Sequence, residues 1–225
     1  MDDLAQIVGT GPVLVLSPHP DDETLGCGAL LAACWSGGIS AHVACLTDGA
    51  ASHLRTSLDL TAIRAAELRR AIVLLGGRPE RDLTFLEYPD AALHRVDNRI
   101  LTRHLGEVVD RTGARVLLSP SPLDPHCDHV ATANAAECLA EQRPDLTLLF
   151  YPIWSRWAGN GEAPAVPRTG RTQFDRIEPA KAAAIAVYES QQGRAVQDDG
   201  GGFAMPPGFA EMFAMSPEIF DRRLA

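Results

Sequence analysis

The chain changes from apolar to polar within one stretch, VLVLSPHPDDE at residues 13–23. Its first part, Val13–Ser17, is a continuous aliphatic run of the kind found in strands that are buried on both faces. Pro18 disfavours helix at the residue before it, so this strand is expected to open into a loop. Helical spacing then runs from about residue 23 to residue 35 and stops at the glycine pair 37–38. The stretch therefore predicts a strand, a polar loop and a helix in succession.

The alternation of strand and helix continues along the chain. Apolar runs predict strands at residues 40–47, 83–88, 115–119 and 146–151, and helical spacing predicts helices at 58–75, 96–111 and 128–142. This order favours an α/β fold, a Rossmann-like three-layer sandwich with a mainly parallel sheet and a C-terminal extension. We expect a single domain over residues 1–225, with about 1–152 as the core and 153–225 as an extension completing the site. In that extension the pattern weakens, and only a helix at 178–191 and a Gly/Pro-rich loop at 193–208 are predicted.

Composition argues against several kinds of partner. The chain has 20 Lys+Arg against 29 Asp+Glu, a net charge of −9, whereas nucleic-acid binding needs a basic surface. Its longest apolar stretch, at about residues 24–35, is well short of the roughly 20 residues needed to span a bilayer. Five cysteines form no C-x-x-C pair, and no basic segment followed by an apolar run opens the chain. We therefore expect no nucleic acid, no membrane span and a cytoplasmic location, while a homo-oligomer stays open.

Two clusters of metal-binding side chains follow predicted strands. HPDDE at residues 19–23 comes after the first strand, and PHCDH at 125–129 comes after the fourth. The carboxyl ends of parallel strands share one edge of a sheet, so the two clusters are expected to meet there. Catalytic zinc typically takes three ligands from His and carboxylate side chains and leaves one position for water. His19 and Asp22 are three residues apart, and His129 could complete such a set.

A simpler interpretation is that the aspartates only cap helices, with Asp21 or Asp22 at one helix start and Asp128 at another. Capping would explain one aspartate in each loop. It does not explain two clusters of His and Asp at the same edge of the sheet, so the metal site is favoured.

The two clusters resemble the signature motifs of the PIG-L/LmbE deacetylase family, zinc-dependent enzymes that remove the acetyl group from N-acetylglucosaminyl conjugates. Further matches follow in the same order: Thr47-Asp48-Gly49, Arg64-Ala65-Ala66-Glu67 with Leu75-Gly76, Pro89-Asp90, Lys181 through Ser190-Gln191, and Glu211-Met212-Phe213. The resemblance spans nearly the whole chain. Two positions depart from it, because Tyr188 stands where the family usually has His and Cys127 where it often has Pro.

The resemblance implies a role for each matching residue. It implies a metal site formed by His19, Asp22 and His129, catalytic roles for Asp21, His126 and Asp128, and substrate contacts by Arg64 and Asp90. Asp21 would be the general base, His126 an imidazolium facing the oxyanion, and Asp128 a hydrogen-bond partner that orients His126 or His129. The cofactor would be Zn²⁺, although two His and one carboxylate also suit Fe²⁺ or Co²⁺.

The activity implied is hydrolysis of an N-acetyl (or other N-acyl) group on a small-molecule glucosamine-type conjugate by attack of zinc-bound water. Two alternatives stay open. One is a zinc amidase that acts on a non-sugar N-acyl substrate, and the other is a sugar- or nucleotide-binding protein without turnover. The near match to a dinucleotide fingerprint at residues 26–31 lacks its third glycine, so we interpret these glycines as allowing close helix packing.

Several other side chains have two interpretations. Without the family, Arg64 could lie on a solvated helix face and Asp90 could cap a turn. Cys127 is predicted to point into the core rather than to bind metal, because catalytic zinc keeps a position open. His42 and His104 are interpreted as structural, His53 is unassigned, and Trp154 and Trp157 could be core residues or a surface on which a sugar stacks.

Overall fold

A computed structural model describes residues 3–196 and 201–224. Its strands form one seven-stranded sheet in the order β3-β2-β1-β4-β5-β7-β6. They are β1 Val13–Ser17, β2 Ala41–Thr47, β3 Leu83–Tyr88, β4 Val116–Pro120, β5 Thr147–Tyr151, β6 Thr169–Phe174 and β7 Glu218–Arg223. The first five strands pair in parallel, and β7 runs antiparallel to both β5 and β6. The predicted mainly parallel α/β sheet is therefore confirmed.

Helices cover both faces of this sheet. They are α1 Asp3–Val8, α2 Asp22–Ser36, α3 Leu60–Leu74, α4 Pro79–Asp82, α5 Asn98–Thr112, α6 Cys127–Gln142, α7 Trp154–Ala158, α8 Pro179–Ala186 and α9 Phe209–Met215. Successive side chains of β1 point to opposite faces, so Val13 and Val15 pack with α2, α3, α8 and α9. Leu14 and Leu16 pack with α5 and α6 on the other face. Among the described residues, no helix is both long enough and apolar enough to cross a membrane.

Helix α2 is enclosed on all sides, which explains its composition. Residues 22–34 are all buried, because α8 and α9 lie on the side of the helix that faces away from the sheet. At Gly26 a Cβ atom would collide with the ring of Tyr151, and at Gly28 it would press on Lys181 at 3.0 Å from its Cγ. The glycines of residues 26–31 therefore allow close packing, as the sequence indicated.

The C-terminal extension contains more regular structure than the sequence predicted. Strands β6 and β7 and helix α9 had no sequence signal, and the helix predicted at 178–191 ends at Ala186 and is followed by a 3₁₀ turn at Glu189–Gln191. The carboxylate of Glu67 fixes this turn by accepting from the backbone N–H (2.9 Å) and the hydroxyl (2.6 Å) of Ser190. Of the loop predicted at 193–208, residues 197–200 lie outside the described residues.

The sheet order places the two polar loops beside each other. Strand β1 pairs with β2 on one side and with β4 on the other, all in parallel. The strands before β4 are added toward one edge of the sheet and those from β4 onward toward the other edge, so the strand order reverses between β1 and β4. Ligands of open parallel sheets bind beyond the carboxyl ends of the strands at such a point. The loops after β1 and β4 both leave the sheet there.

Candidate metal-dependent active site

The loop after β1 holds a non-glycine residue in a strained conformation. Asp21 has φ 142° and ψ −30°, a combination that costs about 1–3 kcal/mol for a residue with a Cβ. Its backbone N–H donates to the carboxylate of Glu23 at 3.2 Å, and its carbonyl accepts from Thr24 and Leu25 at 3.0 and 2.9 Å. The loop is thus held in this conformation by the first turn of α2, and the strain places the Asp21 carboxyl in a cavity above the sheet.

Helix capping does not account for the aspartates. Asp21 occupies the N-cap position of α2, but its side chain makes no capping hydrogen bond. Asp22 Oδ2 accepts from the backbone N–H of His19 at 3.0 Å. At the start of α6 the cap is His126, whose Nδ1 accepts from the backbone N–H of Asp128 at 3.2 Å. The capping interpretation is therefore wrong for all three aspartates.

The three residues predicted as metal ligands converge. Asp22 Oδ2 lies 3.1 Å from His19 Nδ1 and 3.2 Å from His129 Nε2, and all three side chains are buried. Burial alone would favour the neutral acid, but His129 and His19 hold the pKa of Asp22 well below its usual value. His19, His126 and His129 also form a group in which one ring nitrogen of each residue lies within 4.8 Å of those of the other two.

One buried atom of this group lacks a hydrogen bond. His129 Nδ1 lies 2.9 Å from Asp124 Oδ2, and the geometry of Nε2 with Asp22 is not that of a hydrogen bond. Among the described residues, His129 Nε2 therefore has no hydrogen-bond partner. Although burial opposes the charged ring, Asp22 and Asp124 raise the pKa of His129 to about 9. The site favours a positive charge at this point, and a divalent cation that replaces the proton satisfies the same carboxylates.

Asp124 is a residue of this site that the sequence analysis missed. It is 1% exposed and accepts four hydrogen bonds, from His129 Nδ1, from the backbone N–H of Ile153 (3.0 Å) and from the N–H and hydroxyl of Ser155 (2.9 and 2.5 Å). A carboxylate on the far nitrogen of a ligating His is the usual outer-shell arrangement of metal sites. The available signal was its position just before the PHCDH cluster, which begins at Pro125.

Asp128 orients a different histidine from those expected. Among the described residues its carboxylate is hydrogen-bonded to His19 Nε2 (3.3 Å), the backbone N–H groups of Ala91 and Leu93 (2.8 and 3.0 Å) and the Cys127 thiol (3.5 Å). The prediction that it holds His126 or His129 is wrong, because α6 turns the Asp128 side chain toward the loop after β3. Asp90 Oδ1 also lies 3.2 Å from His19 Nε2.

The surroundings of His126 disfavour a charged ring. Burial, together with the positive charges of His19 and His129, lowers the pKa of His126 to about 4. In the metal-free protein this favours the neutral ring over the imidazolium that the resemblance implies. Since Nδ1 accepts the N–H of Asp128, the proton lies on Nε2 and leaves that nitrogen as a donor.

Arg64 joins the loops after three neighbouring strands. Its guanidinium donates to the carbonyls of Gly49 and Pro20 at 2.9 Å each and to Asp21 Oδ2 at 3.3 Å, and it lies 3.9 Å from Asp90 Oδ2. Arg64 is 3% exposed, so the alternative of a solvated helix face is wrong. Burial raises the pKa of Asp21 to about 8, although the guanidinium opposes that shift.

Asp90 ties the loop after β3 to the loop after β2. Its Oδ2 accepts the backbone N–H of Ala51 at 2.9 Å. Burial opposes ionisation, but the hydrogen bond and charge of His19, with Arg64 nearby, lower the pKa of Asp90 to about 2.

Six of these polar groups line a cavity of about 250 Å³. The polar side carries His19, Asp21, Asp22, Arg64, Asp90 and His126, and the apolar side carries Leu25, Ile153, Trp154, Phe203, Met205 and Phe209. Most of the apolar side comes from residues after 152. The segment with Phe203 and Met205 is attached by its backbone, since their N–H groups donate to the carbonyls of Ser52 (2.8 Å) and Gln191 (2.7 Å).

The remaining sequence candidates differ in their surroundings. His42 and His104 hydrogen-bond to Thr84 and Tyr88 at 2.8 and 2.5 Å, which fits their structural interpretation. His53 is buried below Gly202. Trp157 packs on Phe209 with ring centroids 5.3 Å apart, whereas Trp154 faces the cavity.

The two departures from the family pattern have different outcomes. Tyr188 is buried and donates to Glu23 Oε1 at 2.5 Å, so it supports the turn that holds Asp21. Cys127 is half-buried and lines an open depression beside α6, so the prediction that it points into the core is wrong. The first residue of α6 faces the loop after β3 rather than the sheet.

Comparisons with known proteins agree with this geometry. A family model described as "PIG-L: GlcNAc-PI de-N-acetylase" matches residues 14–152. "Probable N-acetyl-alpha-D-glucosaminyl L-malate deacetylase 2" of Bacillus anthracis is 30% identical over 187 residues, which is 80% of each chain. The "2'-N-acetylparomamine deacetylase" of Streptomyces fradiae is 29% identical over 180 residues, 72% of this chain and 63% of the relative.

A crystal structure of a conserved protein from Thermus thermophilus has the same fold, with a TM-score of 0.67 and 26% identity over 92% of each chain. The family model covers more than half of the present chain and includes both polar loops. The chain belongs to the PIG-L family.

Proposed function

We propose that this protein is a metal-dependent deacetylase that hydrolyses the N-acetyl group of a glucosamine-type sugar conjugate. The observation that carries the proposal is the buried Nε2 of His129, which has no hydrogen-bond partner among the described residues and lies 3.2 Å from Asp22, a residue that lines the same cavity as Asp21. Both relatives described above are named as deacetylases of N-acetylated sugar compounds.

In this proposal His19, Asp22 and His129 hold the metal. When bound there, a divalent ion polarises the amide carbonyl and lowers the pKa of a coordinated water. Asp128 and Asp124 each accept a hydrogen bond from the far nitrogen of a ligating ring, on His19 and His129 respectively, and so fix both rings. We assign Zn²⁺, with Fe²⁺ and Co²⁺ as the alternatives that the same donor set accepts.

Asp21 and His126 are the proton-transfer and charge-stabilising groups. The Asp21 carboxyl lines the cavity, and a divalent cation bound beside it would favour its ionised form, which burial alone disfavours. The carboxylate can then take a proton from the attacking water and return it to the departing amine. His126 Nε2–H donates to the amide oxygen as negative charge develops there, an interaction whose loss costs ~3 kcal/mol in comparable sites. A neutral donor suffices for this role. His126 Nε2 keeps its proton because Nδ1 is occupied by the N–H of Asp128.

In this proposal Arg64 and Asp90 contact the sugar. Both line the polar side of the cavity, and Arg64 Nε is a buried donor with no hydrogen-bond partner among the described residues. Ring hydroxyls of an amino sugar offer acceptors for Arg64 and donors for Asp90.

The direct test measures acetate and free amine from a panel of N-acetylglucosaminyl conjugates. We expect turnover that a chelator abolishes and that added Zn²⁺ restores. Asp21→Asn is expected to lose turnover by about 10²–10⁴-fold, in the range of general-base removal, with its metal content unchanged. Turnover that survives full metal removal, or wild-type protein that binds the conjugates without any hydrolysis, would overturn the proposal.

The apolar side of the cavity favours a second candidate, a metal-dependent amidase for a non-sugar N-acyl substrate. Trp154, Phe203 and Phe209 offer a surface that an acyl chain or an aromatic group can cover. A matched panel of acylated amines with and without the sugar distinguishes the two candidates by their kcat/KM values.

A further inference from the structure

A second group of side chains of metal-binding types lies where the loop after β4 meets the turn after β3. It consists of His94, on the 3₁₀ turn Leu93–Arg95 after β3, Cys127 at the start of α6, and Asp128. One donor atom from each lies within 4.8 Å of the other two. None of the three belongs to the ligand set proposed above, which consists of His19, Asp22 and His129.

Asp128 connects this group to the catalytic site because its two carboxylate oxygens have different side-chain partners. Oδ2 lies 3.3 Å from His19 Nε2. Oδ1 lies 3.5 Å from the Sγ of Cys127. A cation that binds to Cys127 and Asp128 therefore uses the same carboxylate that is hydrogen-bonded to His19, one of the proposed ligands of the catalytic metal.

The thiol and the imidazole are both reachable from solvent. Cys127 is half-buried, His94 is exposed, and both line the same open depression between α6 and the turn after β3. Such access allows an ion to enter this site without passing through the catalytic cavity.

We propose that Cys127, His94 and Asp128 form a second site, which binds a thiophilic divalent cation such as Zn²⁺ or Cd²⁺. Thiolate and imidazole ligands select such ions, and three protein ligands leave one position for water. Donor atoms around a tetrahedral ion lie about 3.3–3.8 Å apart, so the group must contract by roughly 1 Å. The exposed ring of His94 can supply that movement. On binding, the thiol proton passes to solvent and an Sγ–metal bond forms, with no change of oxidation state.

Occupation of this site is expected to inhibit the enzyme, a consequence that rests on the proposed deacetylase function. The cation attracts Asp128 toward Cys127 and weakens its hydrogen bond to His19 Nε2. Loss of such an outer-shell contact typically lowers metal affinity or activity by about 10–100-fold. Inhibition should therefore appear as excess thiophilic metal is added to enzyme whose catalytic site is already filled.

The experiment titrates zinc-loaded enzyme with Cd²⁺ and follows the thiolate-to-cadmium absorption in the ultraviolet. The proposed catalytic ligands include no cysteine, so this absorption reports thiolate binding alone. We expect saturation at one equivalent in the wild type and none of this absorption in Cys127→Ser. His94→Gln should bind at least about tenfold more weakly, since even outer-shell changes cost that much.

Cys138→Ser is the matched control, because Cys138 is also half-buried and lies on the same helix. It should titrate like the wild type. Equal cadmium absorption in the wild type and Cys127→Ser, or its loss in Cys138→Ser, would overturn the second site. Full turnover with the second cation bound would overturn the inhibitory consequence. Absence of turnover on any substrate would instead overturn the deacetylase proposal, and the absorption titration would still decide the second site.

Discussion

Asp124→Asn would replace one oxygen of a buried carboxylate with an NH₂ group and should lower the metal affinity, because Asp124 orients the proposed ligand His129. Asp124 Oδ2 accepts from His129 Nδ1 at 2.9 Å and from the backbone N–H of Ile153 at 3.0 Å. The other oxygen, Oδ1, accepts from the N–H and the hydroxyl of Ser155. In Asp124→Asn the amide oxygen can still accept both hydrogen bonds from Ser155. The amide NH₂ then faces two donors and accepts from neither.

The size of the effect follows from those two contacts. Hydrogen bonds to charged groups contribute about 1.5–3 kcal/mol each, so the metal-free variant should lose roughly 3–6 kcal/mol of unfolding free energy as an upper range. For metal binding, loss of an outer-shell carboxylate costs about 10–100-fold in affinity, which is ~1.4–2.7 kcal/mol. The zinc dissociation constant of the variant should rise by that factor because the ring of His129 is no longer oriented.

The assay is competition for Zn²⁺ with a chromophoric chelator, accompanied by denaturant unfolding of metal-free protein. Asp145→Asn is the control, because Asp145 is an exposed carboxylate paired with Arg115 at the surface. That control should leave both quantities unchanged. A folded Asp124→Asn protein that binds zinc as tightly as the wild type would refute the assignment of Asp124 as the residue that orients His129.

Three further perturbations test other parts of the structure. Lys181→Met removes the cation 2.8 Å from the buried carboxylate of Glu218 and should cost about 3–5 kcal/mol in a denaturant titration, with an unchanged midpoint counting against the ion pair. Burial and Arg111 lower the pKa of His42, so the folded state binds fewer protons at this ring than the unfolded state does. The free energy of unfolding should therefore keep the whole contribution of His42 above pH ~6.5 and should fall as the pH drops below that value. His42→Gln should flatten the dependence of Tm on pH in that range. At Gly202 a Cβ would collide with the ring of His53, and the next residue, Phe203, lines the cavity. Gly202→Ala should therefore displace the cavity wall and raise KM several-fold while zinc affinity stays constant. An unaltered KM would argue against that contact.

The central strands and both polar loops could be predicted because their local signals agree with the fold. Strand β1 has the predicted bounds, since a continuous apolar run suits a strand covered on both faces. Strand β3 also has the predicted bounds, although it is an edge strand whose residues are only partly buried or exposed. The convergence of His19, Asp22 and His129 followed from the rule that parallel strands end at one edge. Strands β6 and β7 were missed because they are short antiparallel strands in which polar and charged residues dominate, as in TGRTQF.

The errors within the site come from contacts between distant parts of the chain. Asp128 lies 109 residues after His19 and was assigned to histidines of its own loop, because sequence spacing shows only local neighbours. The direction of Cys127 depends on how α6 begins, which helical spacing does not specify for its first residue. The low pKa of His126 results from burial and from the charges of two neighbouring rings, which only the folded structure brings together.

The segment that carries Phe203 and Met205 has a consequence for how relatives can diverge. Its attachment to Ser52 and Gln191 uses main-chain groups, which every amino acid except proline provides. Exchange of either side chain should therefore reshape what the cavity accepts while the anchoring stays intact. Positions 203 and 205 are thus the natural starting points for changing which compound the cavity accepts without altering the residues to which we assign the reaction.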